Sequence, residues 1–346
     1  ISGSTGTITN KTKIDVVLVL DVSGSMKETK KGSSNTKIEQ AATAVGTLIN
    51  SLDTKETVDA RYNVVTFGTT ANLLTGWAWN GQDVISEVSA KAEDMLRDDD
   101  YNQGTNYEAG LITAQSQLDR ARSNARQVVV FLTDGEPTYH VTDEDGSAGR
   151  GNGTSIDTLN HAQNAASNIK ASSFYVIGTD MDQSITIYES NNRYNDDKYS
   201  GKDSVGNTIS ARDGMLTQTL LASLCKASEI TDSHVYNTQN DLSNIFGEIA
   251  DQVTTIACKN VTVTDRLSQY AEPIEDNPTL WIKLYGKGEN GQFDFSSPLE
   301  KVEGLNPTLD YVNPDTGNVQ DVKATYTDGT ITLDFPDNYE LNPDYT

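Results

Sequence analysis

From residue 14 onward, two kinds of apolar pattern alternate. The run IDVVLVL (14–20) is continuously apolar and of strand length. KIEQAATAVGTLINSL (37–52) then places Ile38, Ala41, Ala42, Val45, Leu48, Ile49 and Leu52 at helical spacing. RYNVVTF (61–67) predicts a strand, with ANLLTGW (71–77) as an antiparallel hairpin partner. Helices are predicted over 83–96, 106–122, 156–171, 214–228 and 241–256. Between them RQVVVFLTDG (126–135), SFYVIGTD (173–180) and HVYN (234–237) predict further strands. Near-continuous apolar strands alternating with helices imply a mostly parallel, doubly wound sheet covered on both faces.

The texture changes at about Lys259. KNVTVTDRL, TLWIKLYG, VKATYTDG and TITLDF alternate apolar and polar positions between Pro, Asn, Asp and Gly. This predicts an antiparallel β module of sandwich type. The expected division is an α/β domain over 14–257 and a β module over 258–346, the latter truncated or completed by residues 1–13. Two polar stretches interrupt the α/β part, YHVTDEDGSAGRGNGTS (139–155) and ESNNRYNDDKYSGKDSVGNTISARDG (189–214). Insertions of this length are either functional or tolerated surface additions.

Charge and composition narrow the function classes. Fifty acidic residues against 26 basic ones give a net charge of −24, which disfavours nucleic acid and anionic membranes as partners. No stretch approaches the roughly 20 apolar residues of a membrane span. The two cysteines, Cys225 and Cys258, are too far apart for a CxxC motif. They are either two buried thiols or one disulfide of an oxidising compartment.

The candidate chemistry sits at three strand exits. DVSGSM (21–26) offers Asp21, Ser23 and Ser25, with Gly24 expected to permit a tight turn. YNQGTNYEAG (101–110) brings Thr105 to the start of a helix, and VVVFLTDGEPT (128–138) places Asp134 after an apolar strand. In open α/β sheets ligands bind beyond the carboxyl ends of the strands. All five side chains are hard oxygen donors, which points to Mg²⁺ first, then Ca²⁺ or Mn²⁺, and away from zinc or copper. The chain has no P-loop and no GxGxxG. His140, His161 and His234 fall in three separate segments, each read as a satisfied or exposed side chain. Binding rather than catalysis is the expectation.

Together DVSGSM, GTNYEAGL and FLTDGEPT resemble the metal-ion-dependent adhesion site of the von Willebrand factor type A family. That resemblance assigns Asp21, Ser23, Ser25, Thr105 and Asp134 to the five metal-site positions, covers roughly 14–255, and implies one divalent cation with a coordination position left for a partner's carboxylate. NVTVTDRLSQY, directly after the α/β part, resembles surface adhesins and pilus tip proteins of Gram-positive bacteria, whose type A domains ride on immunoglobulin-like stalk modules of the Cna B type. By this second resemblance the module could carry a Lys–Asn isopeptide bond, with Lys11, Lys13 and Lys259 available and no pair assigned.

The implied function is a metal-dependent adhesin at the bacterial cell surface or pilus tip. Its partners would be an extracellular matrix or cell-surface protein, or a glycan, with other pilus subunits alongside. Two alternatives remain: a structural pilus or surface-assembly subunit whose metal only stabilises the fold, and a regulatory or chaperone subunit of an intracellular enzyme complex. An exported protein suits a Cys225–Cys258 bridge that ties the domain exit to its body.

Overall fold

A computed structural model describes residues 11–255, except 30, 31, 99, 100, 102, 143–145, 239 and 240. Beyond them it describes residue 296 and the strands within 262–334. The chain divides into two compact units, 1–254 and 255–346.

The first unit is built on a six-stranded sheet. In chain order its elements begin with β1 (Thr12–Asp21), α1 (Lys37–Asp53), β2 (Val58–Phe67), β3 (Ala71–Ala78), α2 (Gly81–Arg97), α3 (Tyr107–Leu118) and β4 (Arg126–Thr133). The short strands β5 (Tyr139–Val141), β6 (Ser147–Gly149) and β7 (Thr154–Ser155) precede α4 (Ile156–Ser167) and β8 (Ser173–Thr179). Five two-residue strands follow: β9 (Ser184–Ile185), β10 (Ile187–Tyr188), β11 (Gly201–Lys202), β12 (Thr208–Ile209) and β13 (Met215–Leu216). The unit closes with α5 (Thr217–Ser228), β14 (Ser233–Thr238) and α6 (Leu242–Thr255).

The sheet order is β14-β8-β4-β1-β2-β3. All neighbours are parallel except β2 and β3, the predicted hairpin. Successive β-strand side chains point to opposite faces, so β1 serves two cores. Ile14, Val16, Leu18 and Leu20 pack with α1, α2 and α6, while Val17 and Val19 pack with α3, α4 and α5. A strand buried on both faces must be apolar throughout, which is why IDVVLVL lacks alternation. Thr36 and Glu39 form a reciprocal capping box that starts α1 directly after the first site loop. Among the described residues no helix is long and apolar enough to cross a membrane.

Thr12 and Lys13 pair with Val58 and Asp59 in this sheet, so they extend β1 rather than complete a second module. Residues 1–10 lie outside the described residues. Cys225, on α5, is a buried free thiol with its Sγ 3.7 Å from the carbonyl of His234. Burial pushes that thiol up to about 11. The proposed bridging partner Cys258, like Lys259, lies outside the described residues.

The second unit contains β15 (Thr262–Arg266), β16 (Leu280–Leu284), β17 (Glu300–Leu305), β18 (Lys323–Thr327) and β19 (Thr330–Asp334). β15-β19-β18 form one antiparallel sheet, and β16 and β17 pair antiparallel in another. The predicted alternating segments supply four of these strands. β17 was not predicted, because EKVEGL has only two strongly apolar positions.

Candidate metal centre

Asp21 ends β1, and Asp134 directly follows β4. The two strands are parallel neighbours, with Leu20 opposite Leu132, so both aspartates emerge at the same edge. After β1 the chain adds β2 on one side and later β4 on the other, which makes this edge the topological switch point of the sheet.

Four of the five predicted residues form a continuous polar chain. Asp21 accepts from the Ser23 amide at 2.7 Å and from the Thr133 hydroxyl at 2.6 Å. The Ser23 and Ser25 hydroxyl oxygens are 3.1 Å apart, and Ser25 donates to Asp134 Oδ1 at 2.8 Å. Gly24 does not take a positive φ; it opens a 3₁₀ turn, Gly24–Lys27, anchored by the fully buried Met26. The tight turn expected at this glycine is present, and it is made without a left-handed residue.

Thr105 enters from a third loop. The Gly24 amide donates to Gln103 O at 2.9 Å, tying that loop to the first. Thr105 N donates to Thr138 Oγ1 at 3.0 Å, and its carbonyl accepts from Thr138 N at 2.8 Å and Tyr139 N at 3.1 Å. The backbone is thus clasped, whereas the Thr105 hydroxyl makes no hydrogen bond among the described residues. A Cβ placed on Gly135 would lie 3.8 Å from Ser25 Oγ and 3.9 Å from Thr105 Oγ1. Both hydroxyls therefore flank one point, which the missing side chain of Gly135 leaves clear.

Charge is the unusual feature of the site. Asp21 and Asp134 are both buried, at 0% and 5% exposure. Burial and the neighbouring Asp134 charge raise Asp21 to about 7, against hydrogen bonds that favour its ionised form. Burial likewise raises Asp134, partly offset by Lys37, whose ammonium is 2.8 Å from Asp134 Oδ2 and 3.3 Å from Glu28. Asp21 forms no ion pair among the described residues. Lys37, Thr133 and Thr138 were missed in the sequence. Their one local signal is adjacency: Lys37 opens the helix after the first loop, and Thr133 precedes Asp134.

This donor set suits a hard divalent cation. Two buried carboxylates and three hydroxyls meet at one edge of the sheet, where the Asp134 charge raises the proton affinity of Asp21, and such a cation would relieve that repulsion. Asp21, Ser23, Ser25, Thr105 and Asp134 are the residues that would hold it.

The two polar insertions are folded against the site. β5 and β6 form a hairpin from the first. Arg150, 3% exposed, stacks on Tyr188 at 3.8 Å and donates to the carbonyls of Asn192 and Arg193 in the second. Beside Thr105, a cleft of about 550 Å³ is lined by Gln103, Gly104, Tyr139, Asn152, Arg193 and Tyr194. Any side chain at Gly104 would collide with the Tyr139 ring, since even a Cβ would come within 2.2 Å.

Comparison with known proteins places this geometry. In sequence the chain is 30% identical to human inter-alpha-trypsin inhibitor heavy chain H6 over 138 residues, 37% of this chain and 9% of that one. Human heavy chain H1 gives 30% over 144 residues, 39% of this chain and 14% of that one. The match therefore spans a small fraction of those relatives. In structure, the pilus adhesin SpaC of Lactobacillus rhamnosus GG aligns with a TM-score of 0.51 at 14% identity, over 97% of this chain and 38% of that chain. A variant of the PilB minor pilin of Streptococcus sanguinis gives 0.50 at 16%, over 72% and 63%. These structures share the fold. Residues 258–346 match a family model described as a domain of unknown function, DUF7604. Residues 16–136, which include all five candidate ligands, match the von Willebrand factor type A domain model, and with the mostly parallel sheet this shows that the chain contains a von Willebrand factor type A domain.

Proposed function

We propose that the α/β unit is the binding head of an extracellular bacterial adhesin, and that it engages its partner through a divalent cation, Mg²⁺ foremost, held by Asp21, Ser23, Ser25, Thr105 and Asp134. The observation that carries this reading is the buried Asp21 carboxylate, raised in pKa and without an ion-pair partner among the described residues, in a loop whose serine hydroxyls lead to Asp134 and to the open point beside Gly135 and Thr105. When bound, the cation supplies a Lewis-acidic position for an anionic oxygen of the ligand.

The chain's own residues set the rest. Asp21 and Asp134 hold the charge. Thr105 offers a hydroxyl on a loop whose backbone is fixed by Thr138, so it can respond to the ligand while the carboxylates stay in place. The cleft lined by Arg193, Tyr139 and Tyr194 suits an acidic partner that the overall charge of −24 would otherwise repel as it comes within about 8 Å, the screening length at physiological salt. The partner is a matrix or cell-surface protein, or a glycan, that donates a carboxylate. The antiparallel second unit is an immunoglobulin-like stalk of the Cna B type, and the chain acts at the cell surface or pilus tip without catalysis. In support of binding, none of the five site residues is an imidazole or a thiol.

Burial of the site also favours the second reading, a structural pilus subunit whose cation only secures the three loops. Adhesion to a panel of matrix proteins and glycans, in Mg²⁺ and in EDTA, separates the two. On the adhesin reading, chelation abolishes adhesion while the fold survives, and Thr105→Ala reduces adhesion more than metal affinity. Wild-type adhesion in EDTA and in Thr105→Ala would move the ligand elsewhere and leave the metal a structural role.

A further inference from the structure

Two of the histidines that lie far apart in sequence meet in space. His140 is on β5, in the first insertion, and His161 is on α4, one turn after Asp157. Their rings stack with centroids 4.4 Å apart and planes at 29°. One ligand atom from each of His140, Asp157 and His161 falls within 4.8 Å of the others.

The atom-level arrangement is more specific than proximity. His140 Nε2 lies 3.5 Å from Asp157 Oδ2, and His161 Nε2 lies 3.8 Å from Asp157 Oδ1. Each ring's other nitrogen is already held: His161 Nδ1 by Glu108 at 3.0 Å, His140 Nδ1 by the Thr158 hydroxyl at 3.2 Å. Metal-binding imidazoles are oriented in this way, by a carboxylate or oxygen acceptor on the nitrogen that does not face the ion. Glu108 is fixed in turn by the Val141 amide at 2.7 Å, and Asp157 by the Asn191 side-chain amide at 2.8 Å. Tetrahedral zinc with bonds of roughly 2.0–2.1 Å sets its ligand atoms about 3.3 Å apart. The two histidine–Asp157 separations need contract by only a few tenths of an ångström, and the longest separation in the trio, within 4.8 Å, by up to about 1.5 Å, which the half-exposed Asp157 side chain can supply by a rotamer change.

We propose that His140, Asp157 and His161 form a second metal site, distinct from the oxygen site, that takes a borderline first-row cation of the Zn²⁺ class, with Glu108 and Thr158 orienting the two imidazoles. Imidazole nitrogens select this class and leave Mg²⁺ to the oxygen site. Three protein ligands leave a fourth position facing solvent, since the Asp157 side chain is 52% exposed and that of His161 38%. The site pins the β5–β6 hairpin to α4, and Asn191 adds the second insertion. The hairpin begins one residue after Thr138, which clasps Thr105. A cation here therefore stiffens the wall of the cleft beside the first site.

The test is calorimetric titration of the whole, metal-stripped chain with Zn²⁺ in saturating Mg²⁺, and Co²⁺ substitution read by visible absorption. The expected result is one Zn²⁺ per chain and the intense band of four-coordinate Co²⁺. Both should persist in Asp21→Ala and His234→Ala and disappear in the double variant His140→Ala/His161→Ala. The partly exposed single change His161→Gln, checked for fold by circular dichroism, should behave like the double variant, and Glu108→Gln should weaken binding by roughly tenfold or more. Absence of Zn²⁺ uptake by the Mg²⁺-saturated wild type would overturn the proposal. So would uptake unchanged in a folded His161→Gln chain, or lost in His234→Ala.

Discussion

Asp15 and Asp21 lie six residues apart on the same strand, both with no solvent exposure, yet their surroundings are opposite. Asp15 is enclosed by Arg61, at 3.1 Å from Nε, and by Arg122, which donates from its backbone amide at 2.7 Å and from its guanidinium at 2.8 Å. Arg122 also reaches Asp59 at 2.7 Å. Burial would raise the Asp15 pKa, but these donors outweigh it and hold the carboxyl below its usual range. Asp21 is equally unexposed but lies deeper and has no arginine among the described residues; burial and the Asp134 charge outweigh its hydroxyl and amide donors and raise it to about 7. A buried charge normally carries its counter-charge in the protein. One end of β1 follows that rule and the other does not, and the exception lies at the carboxyl edge of the strands, the edge at which open α/β sheets generally bind ligands.

The sharpest break of this comparison is substitution at each end. Asp15→Ala leaves the buried Arg61 guanidinium without its carboxylate and Arg122 with Asp59 alone, and should cost about 3–5 kcal/mol of stability. Asp21→Asn, measured in EDTA, should cost far less or even stabilise, because it removes an uncompensated charge. Urea unfolding of both variants decides this, and equal losses would mean that Asp21 has a counter-charge the contrast overlooks.

Metal supply comes next in size. Mg²⁺ at a hundred times its dissociation constant should stabilise the wild type by about 2.7 kcal/mol and leave Asp21→Asn unmoved. Thermal scans with and without EDTA read this directly.

The pH responses should have opposite slopes. Asp15 is depressed, so its contribution is present above pH 3.8 and is lost as pH falls through its lower folded value. Asp21 is raised, so in EDTA its contribution is present below pH 3.8 and is lost as pH climbs to about 7. Added Mg²⁺ should flatten the second slope only. Stability curves from pH 3 to 8, with Asp15→Ala and Asp21→Asn as controls, assign each limb.

Lys37 is the intermediate case, since it neutralises Asp134 but not Asp21. Lys37→Met should destabilise the metal-free protein by about 1–3 kcal/mol. It should also tighten metal binding, because a competing positive charge has gone. Calorimetry that finds weaker binding instead would make Lys37 a supporting residue rather than a competitor. The smallest effect is expected from Gly135→Val, whose side chain would grow toward Ser25 and Thr105. It should leave the unfolding midpoint nearly unchanged and reduce metal affinity.

The sequence by itself determined the α/β unit and the strand exits that carry the five candidate oxygen donors, because both are written locally. Continuous apolar runs flanked by helical periodicity can only be central strands, and DxSxS, GTNYEAGL and FLTDG each sit within a few residues of a strand end. It also separated the antiparallel strands near the C-terminus by their period of two, missing, among the described strands there, β17, whose apolar positions are too few.

Tertiary structure alone decided which charges are compensated. Arg122 reaches Asp15 across 107 positions and Lys37 reaches Asp134 across 97, and no local pattern encodes such pairs. It brought His140 and His161 together, although the chain presents them as separate and unremarkable. It also folded the two polar insertions onto each other through Arg150, beside Thr105. Local pattern specifies backbone periodicity and burial. The electrostatic environment of a carboxylate depends on every chain segment within a few ångströms, and only the packed fold fixes which segments those are.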